Sequence, residues 1–158
     1  MTTPEDNSGL PHDKHLTEVA VCSKFLYYLH QKEQISFTSV RHLTVDRPPH
    51  FEALHDDIMV GIKLAELDKK PTWNTDSLCN EINKRVWEKD NPAEKELLRK
   101  NYHKYILLLH TEKDCLNRDV FKKHFDPDRI YQTQLINEIY MLFSNGPSST
   151  HSEVIKIR

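Results

Sequence analysis

The chain has 158 residues, a formal net charge of −2 and 37% hydrophobic residues. That suffices for one domain with a modest core and a wet surface, and it excludes a global electrostatic pull toward nucleic acid or anionic membrane. Cys22, Cys79 and Cys115 are odd in number and far apart, which argues against a disulfide framework or a cysteine zinc site and suits a reducing, intracellular compartment. No apolar run reaches membrane-spanning length, and the first residues lack the basic-then-apolar order of a secretory leader, so no membrane partner is expected. With 3 glycines and 8 prolines, the composition favours helices with proline-marked joints.

Residues 1–13 are polar, contain Pro4, Gly9 and Pro11, and show no period, which reads as a disordered lead. Leu16, Val19, Cys22, Leu26 and Leu29 then recur at helical spacing and open an N-terminal helical segment over 14–46. Its second part, 35–45, is ambiguous. Its β-branched content favours a strand, whereas Thr38 is placed to cap a short helix through Val40 and Leu43. Arg47-Pro48-Pro49 is a stiff connector. A helix is expected over 50–67, with Leu54, Ile58, Ile62 and Ala65 on one face, stopped by Asp68-Lys69-Lys70-Pro71. Thr75 caps the next helix, whose stripe is Leu78, Cys79, Ile82 and Val86, with Trp87 buried at its end.

Asp90-Asn91-Pro92-Ala93-Glu94 breaks the chain. Asn91 is a good N-cap, Pro92 suits the first helical position and Glu94 stands where a capping-box carboxylate reaches back. Behind this stop, Leu98, Tyr102, Tyr105, Ile106 and Leu109 predict a helix reaching about His110. A short helix over 117–125 uses Val120, Phe121 and Phe125. Asp126-Pro127 opens a last helix over 130–143, apolar around much of its girth through Ile130, Tyr131, Leu135, Ile136, Ile139, Tyr140, Leu142 and Phe143. Residues 147–158 read as a flexible tail, with Val154-Ile155-Lys156-Ile157 alternatively an edge strand or a short linear motif. The elements add up to an all-α fold: a central unit over 47–114, flanked by the N-terminal helical segment and by C-terminal helices over 115–146.

Ten histidines invite a metal or catalytic reading, but HExxH, GxSxG and glycine-rich phosphate loops are absent. Acidic pairs such as Asp56-Asp57 fit solvated helix faces. Neither an enzyme nor a cofactor is expected.

The segment from Arg47 to about His110 resembles an HMG box, closest to the fungal mating-type and Sox-like versions. Arg47-Pro48-Pro49-His50 is similar to that family's entry into its first helix. Trp87, Asn91, Pro92 and Lys95 are similar to its second joint. The resemblance implies a nuclear protein with a three-helix core that binds double-stranded DNA in the minor groove and bends it. On that reading Arg47 and His50 act at the entry, Phe51 is the wedge, and Lys84, Arg85, Lys89, Lys95 and Arg99 meet phosphate. The alternative is a helical protein–protein interaction module in which those charges only solubilise the surface. Its partner, or a second copy, would dock on the apolar helix expected from Ile130 to Phe143.

Overall fold

A computed structural model describes residues 4–43, 49–111, 116–144 and 152–158, with the backbone alone at 4–16, 144 and 152. The fold is not all-α. Six strands form one mixed sheet whose spatial order equals the chain order. The elements run α1 (Pro4–Lys32), β1 (Thr38–His42), β2 (Phe51–His55), β3 (Ile58–Glu66), α2 (Thr75–Lys89), α3 (Lys95–Asn101), β4 (Lys104–His110), α4 (Arg118–His124), β5 (Glu138–Ser144) and β6 (Ser152–Lys156). Short 3₁₀ turns at Pro92–Glu94 and Pro127–Arg129 precede α3 and follow α4.

The expected helix over 50–67 is a β-hairpin. Asp56 and Asp57 take φ of 49° and 66°, the paired left-handed geometry of a two-residue turn that matches strand twist. Phe51 then pairs with Ile62 and Ala53 with Val60. Leu54, Ile58 and Ile62 do fall at helical spacing. The alternation of Val60, Ile62 and Leu64, which point to one face, is the pattern the chain obeys. Gly61 lies between them where space is short: a Cβ there would stand 3.0 Å from Pro49 and 3.3 Å from the rings of Tyr102 and Tyr105. The three-helix order implied by the HMG-box resemblance is therefore absent, since two strands occupy the place of its first helix.

The helix expected from Leu98 to His110 also divides. α3 ends at Asn101, and the chain continues extended as β4, pairing parallel with β3. Tyr105 to His110 are all buried, because alternate side chains face opposite layers. Ile106 and Leu108 meet α1, while Leu107 and Leu109 meet α2, α3 and α4. A strand covered on both faces reads as a continuous apolar run, and that is what hid it. The apolar segment from Ile130 to Phe143 is likewise no helix: it is a loop leading into β5, parallel to β4. Its girth of apolar residues reflects two buried sheet faces, not a docking surface.

The expected tail contains β6, antiparallel to β5, so the edge-strand alternative for Val154 to Ile157 is the one that forms. In the N-terminal segment α1 starts at Pro4, inside the expected disordered lead, and 38–42 resolves to strand β1. The expected buried Trp87 is 68% exposed, because α2 turns Leu78, Cys79, Ile82 and Val86 inward and Trp87 falls one step past that stripe. Among the described residues, no helix is long and apolar enough to cross a membrane.

The sheet is thus filled from both sides, α1 on one face and the crossover helices on the other. Leu108 lies at its centre with no exposure. Leu108→Ala is expected to lower stability by about 2–5 kcal/mol in chemical denaturation, since the rigid layers cannot collapse into the void.

Candidate functional site

The best-defined polar construction stands where α2 gives way to α3. Asp90 is 3% exposed and its carboxylate accepts three backbone N–H groups from one loop. Oδ1 takes those of Leu135 at 2.7 Å and Ile136 at 3.1 Å, and Oδ2 takes that of Gln134 at 2.9 Å. Two turns earlier on the same helix, Asn83 accepts the Tyr131 N–H at 2.7 Å and donates to the Arg129 carbonyl at 2.8 Å. The loop before β5 is therefore tied to α2 at five points. Asn91 Oδ1 accepts the Ala93 N–H at 3.0 Å and caps the 3₁₀ turn at Pro92–Glu94, which fixes the angle at which α3 departs. Between α3 and the tied loop a cavity of about 320 Å³ opens. Trp87 and Leu97, 68% and 41% exposed, flank the same elbow.

The residues expected to contact DNA are scattered over this frame. Arg47 lies outside the described residues. Phe51 is 3% exposed, stacked on His42 with ring centroids 4.5 Å apart, and belongs to the α1 side of the core. Arg85 reaches Asp68 at 2.6 Å, and Glu81 and Glu88 at 3.2 Å each, while Lys84 also pairs with Asp68, at 3.5 Å. Lys89 and Lys95 stand half-buried on either side of the elbow, and Arg99 is exposed at the cavity mouth. His50 faces inward to Glu18.

That last contact belongs to a cluster which no sequence motif announces. Glu18, 8% exposed on α1, is bracketed by His50 Nε2 at 3.1 Å and His42 Nε2 at 3.5 Å. Because Nδ1 of His50 accepts the Leu64 N–H at 2.9 Å, the ring is the Nε2–H tautomer and donates to Glu18. The pair anchors α1 to the start of β2. A metal ion would need the Nε2 lone pair that this proton occupies. Among the described residues, no three His, Cys, Asp or Glu side chains are placed to hold a metal ion. Only one signal in the sequence pointed here: a glutamate one turn before Cys22, on the buried stripe of α1.

His110 ends β4 at 7% exposure, and burial lowers its pKa from 6.5 to about 4, although Glu66 stands 3.9 Å from Nδ1. Burial outweighs the carboxylate because Glu66 is itself half in water. The unfolded chain takes up this proton below 6.5 and the folded chain only near 4, so stability should decline as pH falls through that interval. The slope is at most about 1.4 kcal/mol per pH unit, and His110→Phe should remove it from the denaturation profile. For the clasp, Asp90→Ala should cost about 3 kcal/mol or more, since three backbone donors, two of them buried, lose their acceptor. Asp90→Asn, which keeps one carbonyl oxygen, should cost less.

No protein-family model, curated protein or solved structure matches this chain.

Proposed function

We propose that the protein is a protein-interaction module that presents the α2–α3 elbow to its partner. Trp87 carries this reading. An indole 68% exposed on a helix end is a large apolar surface left in water. Covering it would return roughly 3 kcal/mol, as buried aromatic anchors do at interface centres. Leu97, on α3 beyond the elbow, is a second apolar side chain left 41% exposed. Lys84, Glu88, Lys89, Glu94, Lys95 and Glu96 flank the elbow along the chain with both signs of charge, the composition of an interface rim. A phosphate-binding face would need one sign, and Lys84 and Arg85 are already committed to carboxylates. The Asp90 clasp and the Asn91 cap hold the elbow before any partner arrives, so little ordering entropy is lost on association.

Trp87→Ala should change stability by less than about 0.5 kcal/mol, because the ring contributes little to the core. A photo-crosslinking residue at position 87, in cells expressing the protein, is expected to give a discrete adduct that the same probe at Lys122 on α4 does not. Identical adducts from both positions, or none from position 87, would overturn the reading. Saturable, salt-dependent binding of a labelled DNA duplex would replace it with the nucleic-acid one.

A further inference from the structure

The sheet ends in two edge strands, β1 and β6, and they are built differently. Unpaired N–H and C=O groups along an edge recruit another strand unless the chain blunts them. β1 is blunted. Its pairing with β2 slips between Thr38 and Arg41, Ser39 takes a φ of 52°, and the Arg41 side chain is 69% exposed. β6 has none of these devices: Ser152 to Lys156 pair with β5 residue for residue, without a bulge or a proline. We propose that β6 is the contact of a symmetric dimer, in which a second copy of this chain adds its own β6 antiparallel to this one and joins the two sheets edge to edge.

Two independent observations carry the assignment. The first is the direction of the backbone. The Ile157 N–H donates to the Ile139 carbonyl at 2.8 Å, which sets the phase of the antiparallel ladder. Glu153, Ile155 and Ile157 therefore turn their N–H and C=O groups to β5, while Val154 and Lys156 turn theirs outward. Among the described residues, no backbone bond from another element meets those outward groups. The second is where the charges go. A lysine on an edge strand ordinarily keeps other strands away. Here Lys156 Nζ is tied back to Glu138 on β5 at 3.0 Å and lies 5.8 Å over the Tyr140 ring. Glu153 is held by Arg118 on α4 at 3.5 Å. Both charges are met within their own chain.

The strand is also its own complement. With a twofold axis at Ile155, Val154 of each copy exchanges outward N–H and C=O groups with Lys156 of the other. The two Ile155 side chains then stand opposite each other at the closer, non-hydrogen-bonded spacing. Glu153 faces Ile157, so no like charges are apposed. Ile155 and Ile157 are only partly covered by the core of one copy, and the pairing extends that cover. The blunted β1 edge limits the assembly. It denies head-to-tail growth through a β1–β6 contact, so association stops at two.

The test is sedimentation equilibrium of the full chain from low-micromolar to near-millimolar concentration, with backbone amide exchange followed by NMR at both ends of the range. A reversible monomer–dimer equilibrium is expected. The Val154 and Lys156 amides should exchange slowly at high concentration and freely at low, while the Ile155 amide stays protected at both. Lys156→Pro removes one outward N–H and spares the ladder to β5. It should weaken the dimer about tenfold or more, because the twofold counts the lost bond twice. Trp87→Ala should leave the dimer as tight as wild type. The exchange readings are made on the unaltered chain and stand whether or not Lys156→Pro folds. A chain that stays monomeric with both amides exchanging freely would leave the edge to water or a foreign strand, and would overturn the proposal. So would a dimer whose Val154 and Lys156 amides remain free, or one that Lys156→Pro leaves intact and Trp87→Ala dissociates. Amides protected at every concentration would assign the edge to a segment of the same chain and overturn it as well.

Discussion

The second half of the fold depends on one carboxylate. Parallel pairing of β4 with β5 requires a long return over the top of the sheet, and the last stretch of that return has no regular partners of its own. Asp90 supplies them by gathering the N–H groups of Gln134, Leu135 and Ile136 onto two oxygens. A buried anion is stable only when its lone pairs are met, and these backbone donors meet them where a side-chain cation would leave the loop unsatisfied. The arrangement ties three things together: the end of α2, the approach of β5 and the base of the cavity beside α3. The elbow that exposes Trp87 is rigid for the same reason.

Short-range chemistry was readable in this sequence and long-range pairing was not. Asn91 before Pro92 caps its turn through a bond that reaches two residues ahead. Such signals are complete within a few positions. Strand pairing is different in kind, because Ile106 is a strand residue only by virtue of Ile62 and Glu138 on either side. The run Tyr105-Ile106-Leu107-Leu108-Leu109 fits a doubly covered strand and a buried helix equally well by periodicity alone. The helical alternative gained support from Leu98 and Tyr102, which in fact belong to α3 and its C-cap. Asp56-Asp57 looked like a solvated helix face because the commoner turn pairs contain Asn or Gly, yet aspartate also tolerates left-handed backbone. The sites followed the same division. Arg99 stood out as a cation, though its neighbours across the cavity lie far away in sequence. Glu18 gave almost no sign of the two histidines that enclose it.

Several charges in this molecule serve internal order. Glu81 is nearly inaccessible, accepts the Asp68 N–H at 2.6 Å and bonds Arg85 at 3.2 Å. That knot closes the connection from β3 to α2. Glu138 lies between Lys104 at 2.8 Å and Lys156 at 3.0 Å, joining the start of β4 to the far edge strand. Ion pairs at this degree of exposure add little net stability, but they fix which strand end meets which.

Strand order equal to chain order has a consequence for how the molecule comes into being. Every inter-strand pairing joins consecutive strands, so no strand waits for a distant one to be inserted beside it. The β2–β3 hairpin closes across two residues, and each later addition bridges one connection only. Assembly of the sheet can therefore follow synthesis, with the crossover helices arriving just before the strands they cover, while the packing of α1 is completed only by β6. An open strand edge is exposed at every stage, moving along the sheet until β6 takes its place at the rim. In such a sheet the vulnerable surface belongs to the growing chain, and each new strand covers it in turn.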